Sequence, residues 1–137
     1  MMRRFLVALT LIGALICGPA AAGGNDPLFV NLTSDDAHRD AMAMTFSDAQ
    51  LGQGHHITIW LNDKAVLIAS KKNTVKFADQ QKMLQGLIGK GATVIICPMC
   101  MKHFGVREAD LLDGVKRGTT ELTGAALFAN NSKTLSW

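Results

Sequence analysis

Ala92-Thr93-Val94-Ile95-Ile96-Cys97-Pro98-Met99-Cys100-Met101-Lys102-His103-Phe104-Gly105-Val106 is the stretch on which the fold reading turns. It opens as a short β-branched apolar run, the pattern of a buried strand. Directly behind that run, two cysteines, two methionines and a histidine fall within seven residues, Cys97 to His103. In a parallel α/β sheet, ligands and chemistry collect in the crevice beyond the carboxyl ends of the strands. Cys97-Pro98-Met99-Cys100 is expected to stand at such a place.

Working outward, the segments on either side alternate between strand and helix patterns. Leu28-Phe29-Val30-Asn31-Leu32 reads as a first strand, and His56-Ile57-Thr58-Ile59-Trp60-Leu61 as a second. Between them, Thr33 with Asp36 three residues on gives a helix-start signal. A helix is expected over Ser34 to Leu51, with Ala37, Ala41, Met44 and Phe46 toward the sheet. Asp35 and Asp36 fit as helix-start charges rather than a catalytic carboxylate pair. Val66-Leu67-Ile68-Ala69 is apolar but carries no period that types it.

Thr74 to Lys90 reads as a second helix, with Phe77, Leu84, Leu87 and Ile88 at helical spacing and Gly91 just past its end. After the cysteine stretch, a short helix is expected over Val106 to Leu112 and a brief strand at Val115-Lys116. Glu121 to Ala129 should be helical, and Thr134 to Trp137 an edge strand. The expected architecture is α/β: a flavodoxin-like three-layer sandwich with a mainly parallel sheet of about five strands and helices on both faces. Trp60 and Trp137 are read as packing or interface residues. Gly52-Gln53-Gly54 follows a helix instead of opening one, so it is no phosphate loop. No resident cofactor is expected.

The N-terminus reads as a signal peptide, residues 1–22. Arg3 and Arg4 form a charged start, Phe5 to Cys17 an apolar core, and Ala20-Ala21-Ala22 a small-residue cleavage site. Ile16 is bulky where a lipidation signal before Cys17 would need a small residue. Residues 23–137 would then form one domain, large enough for a single core. The expected location is periplasmic or secreted, with no membrane association after cleavage.

Arg3 and Arg4 leave with the leader, so the domain is close to neutral. Its longest basic run is Lys71-Lys72, a solvated face rather than a nucleic-acid footprint. Two cysteines remain, Cys97 and Cys100. Exported proteins commonly use cysteines for structural disulfides. A bridge over two intervening residues closes too small a loop to stabilise much. Chemistry explains the pair better than stapling.

Two chemistries suit these residues. In the first, the amides at a helix N-terminus favour a thiolate, which is the nucleophile in thiol–disulfide exchange. Cys97 stands at a strand end where such amides could point at it, and Lys102 and His103 add positive charge. Cys-Pro-X-Cys is also the thioredoxin-like pattern. Here it follows the third strand, and the domain has only Pro27 and Pro98, so that fold's cis-proline has no candidate. In the second chemistry, Cys97, Cys100, Met99, Met101 and His103 are a soft ligand set for copper(I) or zinc. A closed zinc site would need two further ligands, for which His38, His55 and His56 are the candidates. His55-His56 also reads simply as a solvated turn before a strand.

The order of elements, the Val94-Ile95-Ile96-Cys97 strand end and Gly105-Val106 eight residues later resemble the DsrE/DsrF-like family. Asn31-Leu32-Thr33-Ser34 and Ile59-Trp60-Leu61-Asn62-Asp63 add to the resemblance, which runs from Leu28 to Trp137. It implies a flavodoxin-like domain assembled as a trimer or hexamer. It also implies sulfur carried as a persulfide on Cys97, handed between a donor and an acceptor protein. Some family members place a cysteine at the position of Cys100, which would then act as the resolving thiol.

Overall fold

The computed structural model describes residues 24–137; the leader expected over residues 1–22 lies outside the described residues. The elements in order are β1 (Leu28–Leu32), α1 (Ala37–Gly52), β2 (Ile57–Leu61), α2 (Thr74–Gly89), β3 (Thr93–Ile96), α3 (Pro98–Phe104), β4 (Val115–Arg117), α4 (Thr120–Leu127) and β5 (Lys133–Ser136). The strands form one sheet in the order β4-β3-β2-β1-β5, and every pairing is parallel. The fold is therefore the expected α/β sheet of five strands.

Alternation along the strands sorts the sheet into two faces. Val30 and Leu32, Ile59 and Leu61, and Val94 and Ile96 point to one face. There they pack in a single cluster with Met44 of α1 and with Phe77, Leu84 and Leu87 of α2. The other face carries Phe29, Asn31, Trp60 and Ile95, aligned by the registers Asn31↔Trp60 and Trp60↔Ile95. The chain returns from β4 to β5 across this second face, where Thr123 and Leu127 of α4 lie over Phe29 and Trp60.

Helix α1 begins later than the sequence suggests. Its cap is Asp36, whose carboxylate accepts a hydrogen bond from the Arg39 amide at 2.9 Å. Thr33 is not the cap: its hydroxyl donates to the Trp137 carbonyl at 2.7 Å and ties β1 to the C-terminus. The buried stripe is Asp40, Ala43, Met44 and Ser47, while Ala37 and Phe46 are exposed. Two polar residues on the inward face hide the helical period.

The untyped segment Val66 to Ala69 runs through and beyond a 3-10 turn, Asp63–Leu67, and three of its four residues are buried. Such a buried connection needs partners for its carbonyls. Gln81 of α2 supplies two, donating from Nε2 to Ile68 O at 2.9 Å and to Ser70 O at 2.8 Å.

The helix expected over Val106 to Leu112 is instead placed before Gly105, as α3. Cys97 is its N-cap, Pro98 opens its first turn, and Gly105 ends it at φ 70°. Proline suits a first turn because its missing N–H has no intrahelical partner there, and glycine takes the left-handed cap without strain. Within Val106 to Leu112 the helical structure is one 3-10 turn, Glu108–Asp110.

Candidate active site

The strand ladder continues one residue past β2 and β3. The Asn62 amide donates to Leu32 O at 3.0 Å and the Cys97 amide to Leu61 O at 2.9 Å. Asn62 and Cys97 are thereby held side by side at the carboxyl edge of the sheet. Asn62 in turn donates from its side chain to Asn31 Oδ1.

Cys97 caps α3 with sulfur in place of the usual side-chain oxygen: Cys97 Sγ accepts from the Cys100 amide at 3.3 Å. The Cys100 thiol also donates to Cys97 Sγ, with the two sulfurs 2.8 Å apart. A disulfide needs about 2.05 Å, so the pair is free but within a small movement of bonding. Asp63, at φ 47°, turns its amide onto Cys100 Sγ at 3.2 Å. Burial pushes the Cys100 thiol above its ordinary range, its hydrogen bond to Cys97 adds to that, and the Asp63 amide works against it. Cys97 Sγ thus accepts two hydrogen bonds, both from Cys100, while Cys100 Sγ accepts one, from Asp63.

Three clefts meet at exposed Met99. One, of about 520 Å³, lies between the turn after β3 and the turn after β4 and reaches Cys97. A second, of about 530 Å³, runs over the second sheet face and reaches both cysteines between Asn31, Trp60 and Leu127. The third, of about 660 Å³, runs along α3 past Cys100, Lys102 and His103. A separate, mostly apolar hollow of about 310 Å³ lies between Pro27, Phe46 and Leu135. It is at the opposite end of the sheet from both cysteines, so the thiol chemistry belongs to the clefts around the sulfurs.

Of the expected site residues, Cys97 and Cys100 come together with Met99 beside them. Met101 is buried in the core, and His103 is exposed with its ring against Phe104 at 4.7 Å. His55 and His56 precede β2, at the far end of the sheet, where His55 Nδ1 lies 2.8 Å from the Asp26 carbonyl. His38 stands exposed in the first turn of α1. Among the described residues, no three His, Cys, Asp or Glu side chains gather as they would to hold a metal ion.

Sequence reasoning does not single out Asp63, Asn62, Asn31 or Gly118 as site residues. Their signal is positional: each stands at or just beyond a strand end. A Cβ on Gly118 would stand 2.7 Å from Trp60 Cζ3 and 3.0 Å from Ile96 O, so glycine is what lets the Trp60 ring lie against the turn after β4. That ring lines both clefts that reach Cys97.

The sequence model of the DsrE/DsrF-like family matches residues 28–131, which span every strand except the last and the whole cysteine stretch. The chain belongs to the DsrE/DsrF-like family. An uncharacterised protein of Methanocaldococcus jannaschii is 32% identical over 78 residues, covering 56% of this chain and 68% of that protein. Among solved structures, a protein of unknown function from Methanobacterium thermoautotrophicum superposes with a TM-score of 0.69 at 13% identity, over 82% of this chain and all of that one. A conserved protein of unknown function from Bacteroides thetaiotaomicron gives 0.62 at 20% identity, over 85% of this chain and 99% of that one. The YchN protein of Escherichia coli gives 0.60 at 14%, over 82% of this chain and 99% of that one. At these identities the structural likenesses establish the DsrE/DsrF-like fold and nothing of the chemistry.

Proposed function

We propose that this DsrE/DsrF-like protein is exported and carries sulfur as a persulfide on Cys97, with Cys100 as the resolving thiol. The observation that carries the reading is the 2.8 Å approach of the two sulfurs at the end of a central strand. The Cys97 thiolate attacks a sulfane sulfur and takes it as Cys97–S–SH while the donor's leaving group departs with the bonding electrons. An acceptor thiol then removes that sulfur. Alternatively, Cys100 thiolate attacks the inner sulfur, forming the Cys97–Cys100 disulfide and releasing hydrosulfide. An external dithiol returns the pair to its starting state.

Export is supported by Arg3-Arg4, the apolar run Phe5 to Cys17 and Ala20-Ala21-Ala22, and implies a mature chain that starts at Gly23. Homo-oligomers, trimers or hexamers, are the assembly that the family resemblance implies. A sulfur donor or acceptor protein would meet the clefts around Met99.

The test is a native intact mass of the exported protein, purified without reductant or chelator. The mass of one or more sulfur atoms, removed by a reductant, is expected. Loss of two hydrogens alone would shift the reading to dithiol–disulfide redox. A metal's mass, removed by a chelator, would overturn it in favour of soft-metal binding. In polysulfide loading, Cys97→Ser abolishes the adduct and Cys100→Ser retains it; equal loading of both variants would refute the assignment of Cys97.

A further inference from the structure

The connections after β1, β2 and β3 all run toward the β4 edge over the first face of the sheet. The connection after β4 leaves the other way, over the second face, to reach β5. The turns after β3 and β4 thus leave the carboxyl edge of the sheet toward opposite faces, and an open crevice lies between them.

That crevice is the cleft of about 520 Å³ lined by Trp60, Cys97, Met99, Arg117, Thr120 and Thr123. Cys97 is only 7% exposed, so a donor must enter the cleft to reach its sulfur. A molecule of a few atoms fits the cleft. The residues around it are of two kinds: an apolar wall formed by Trp60 and Met99, and hydrogen-bond donors in Arg117, Thr120 and Thr123. Arg117 is half-exposed, and its near carboxylate, Glu108, lies 3.9 Å away, beyond hydrogen-bond distance. Two of the amides that open α4 are already engaged: Thr119 accepts from the Leu122 amide, and Glu121 folds back onto its own. The one full positive charge lining the crevice is that of Arg117.

We infer that the crevice between β3 and β4 is the loading subsite of Cys97 for a small, doubly charged sulfane-sulfur anion of the thiosulfate type, with Arg117 as its specificity-determining residue. The inference rests on the persulfide reading of Cys97. In the step, Cys97 thiolate forms a bond to the outer sulfur of thiosulfate. The sulfur–sulfur bond of the donor breaks, sulfite leaves with its electron pair, and Cys97 keeps the persulfide. Two negative ions must meet, and negative charge gathers on the departing sulfite. A guanidinium beside the crevice offsets both effects.

The test uses the mature chain in a Cys100→Ser background, so that Cys97 is the one reactive thiol, and reads intact mass against time. Thiosulfate loads one sulfur, and Arg117→Gln slows loading about tenfold or more, as expected for loss of one charge-assisted hydrogen bond. Arg117→Lys keeps part of the rate. Iodoacetate and iodoacetamide, matched in size but not in charge, read the subsite without any sulfur chemistry. Arg117→Gln slows the anionic reagent and leaves the neutral one unchanged. A chain that loads from polysulfide but not from thiosulfate overturns the subsite and leaves the carrier reading standing. So does equal slowing of both alkylating reagents. Persulfide formation in Cys97→Ser overturns the carrier reading itself.

Discussion

Cys100 turns both of its donors toward Cys97, the amide at 3.3 Å and the thiol at 2.8 Å from Cys97 Sγ. The pair is unequal as a result. Cys97 Sγ accepts two hydrogen bonds from its neighbour, and the Cys100 thiol that donates one of them is held above the ordinary thiol range. A thiol reacts through its thiolate, so Cys100 alkylation should set in at higher pH than that of an unperturbed cysteine. Desolvation is the first cause of the rise and the Cys97 hydrogen bond the second. Cys97→Ala should therefore lower the midpoint for Cys100 part of the way back. Fragment-resolved mass spectrometry of iodoacetamide labelling across pH measures this. A midpoint at the ordinary thiol value in the unaltered chain would contradict the geometry.

Gly118→Ala tests how the Trp60 ring is held. The new methyl would meet Trp60 Cζ3 at 2.7 Å and Ile96 O at 3.0 Å. The carbonyl belongs to β3 and accepts from the Gly118 amide, so it cannot yield easily. The ring must move into the clefts that reach Cys97. Overpacking of this kind costs about 1–3 kcal/mol, and urea denaturation should register it. Trp60 fluorescence should shift, and polysulfide loading of Cys97 should slow, in the folded variant. Unchanged fluorescence and loading would show that the turn relaxes instead.

Much of this arrangement is legible in the sequence, for physical reasons that can be named. Val94-Ile95-Ile96 is apolar on both faces because a central parallel strand is buried on both, and Cys97 follows it directly. α1 is legible as a helix but not in its facing, because Asp40 and Ser47 sit where apolar residues would mark the stripe. α3 is hidden because Cys97 and Pro98 read as strand-end chemistry, although they are also the cap and first turn of a helix. Asn62, Asp63 and Gly118 join the site only through strand register and crossover direction, which no local pattern encodes.

Gln81 is a structural counterpart to the site. Its Nε2 serves the carbonyls of Ile68 and Ser70 inside the buried connection that leads from Asp63 to α2. In Gln81→Leu, the Ile68 carbonyl loses its donor, while the Ser70 carbonyl keeps the Asn73 amide at 2.9 Å. An unsatisfied buried group costs about 1–3 kcal/mol, so a loss of that order is expected in urea denaturation. Hydrogen exchange should also quicken in residues 63–70. A change within a few tenths of a kcal/mol would mean that the connection finds other donors.

Asp40 sets the pH dependence of stability. It is fully buried on α1, and neither carboxyl oxygen has a hydrogen-bond partner among the described residues. Burial, reinforced by the Asp35 and Asp36 carboxylates and opposed by Lys76 and Arg39, pushes its pKa up to about 7 from the ordinary 3.8. Below the unfolded pKa both states are neutral, and the group imposes no penalty. As pH rises above about 4 the unfolded chain ionises while the folded one holds its proton. Stability then falls until the folded carboxyl also ionises near 7, and levels beyond it. A tenfold difference in proton affinity between the two states is worth about 1.4 kcal/mol. Asp40→Asn keeps the shape but cannot titrate, so its stability should lack this fall. Denaturation of both proteins from about pH 4 to 8 measures it, and the Asn variant should gain on the unaltered chain by a few kcal/mol across that window. Parallel curves would show that Asp40 is ionised and solvated in the folded protein.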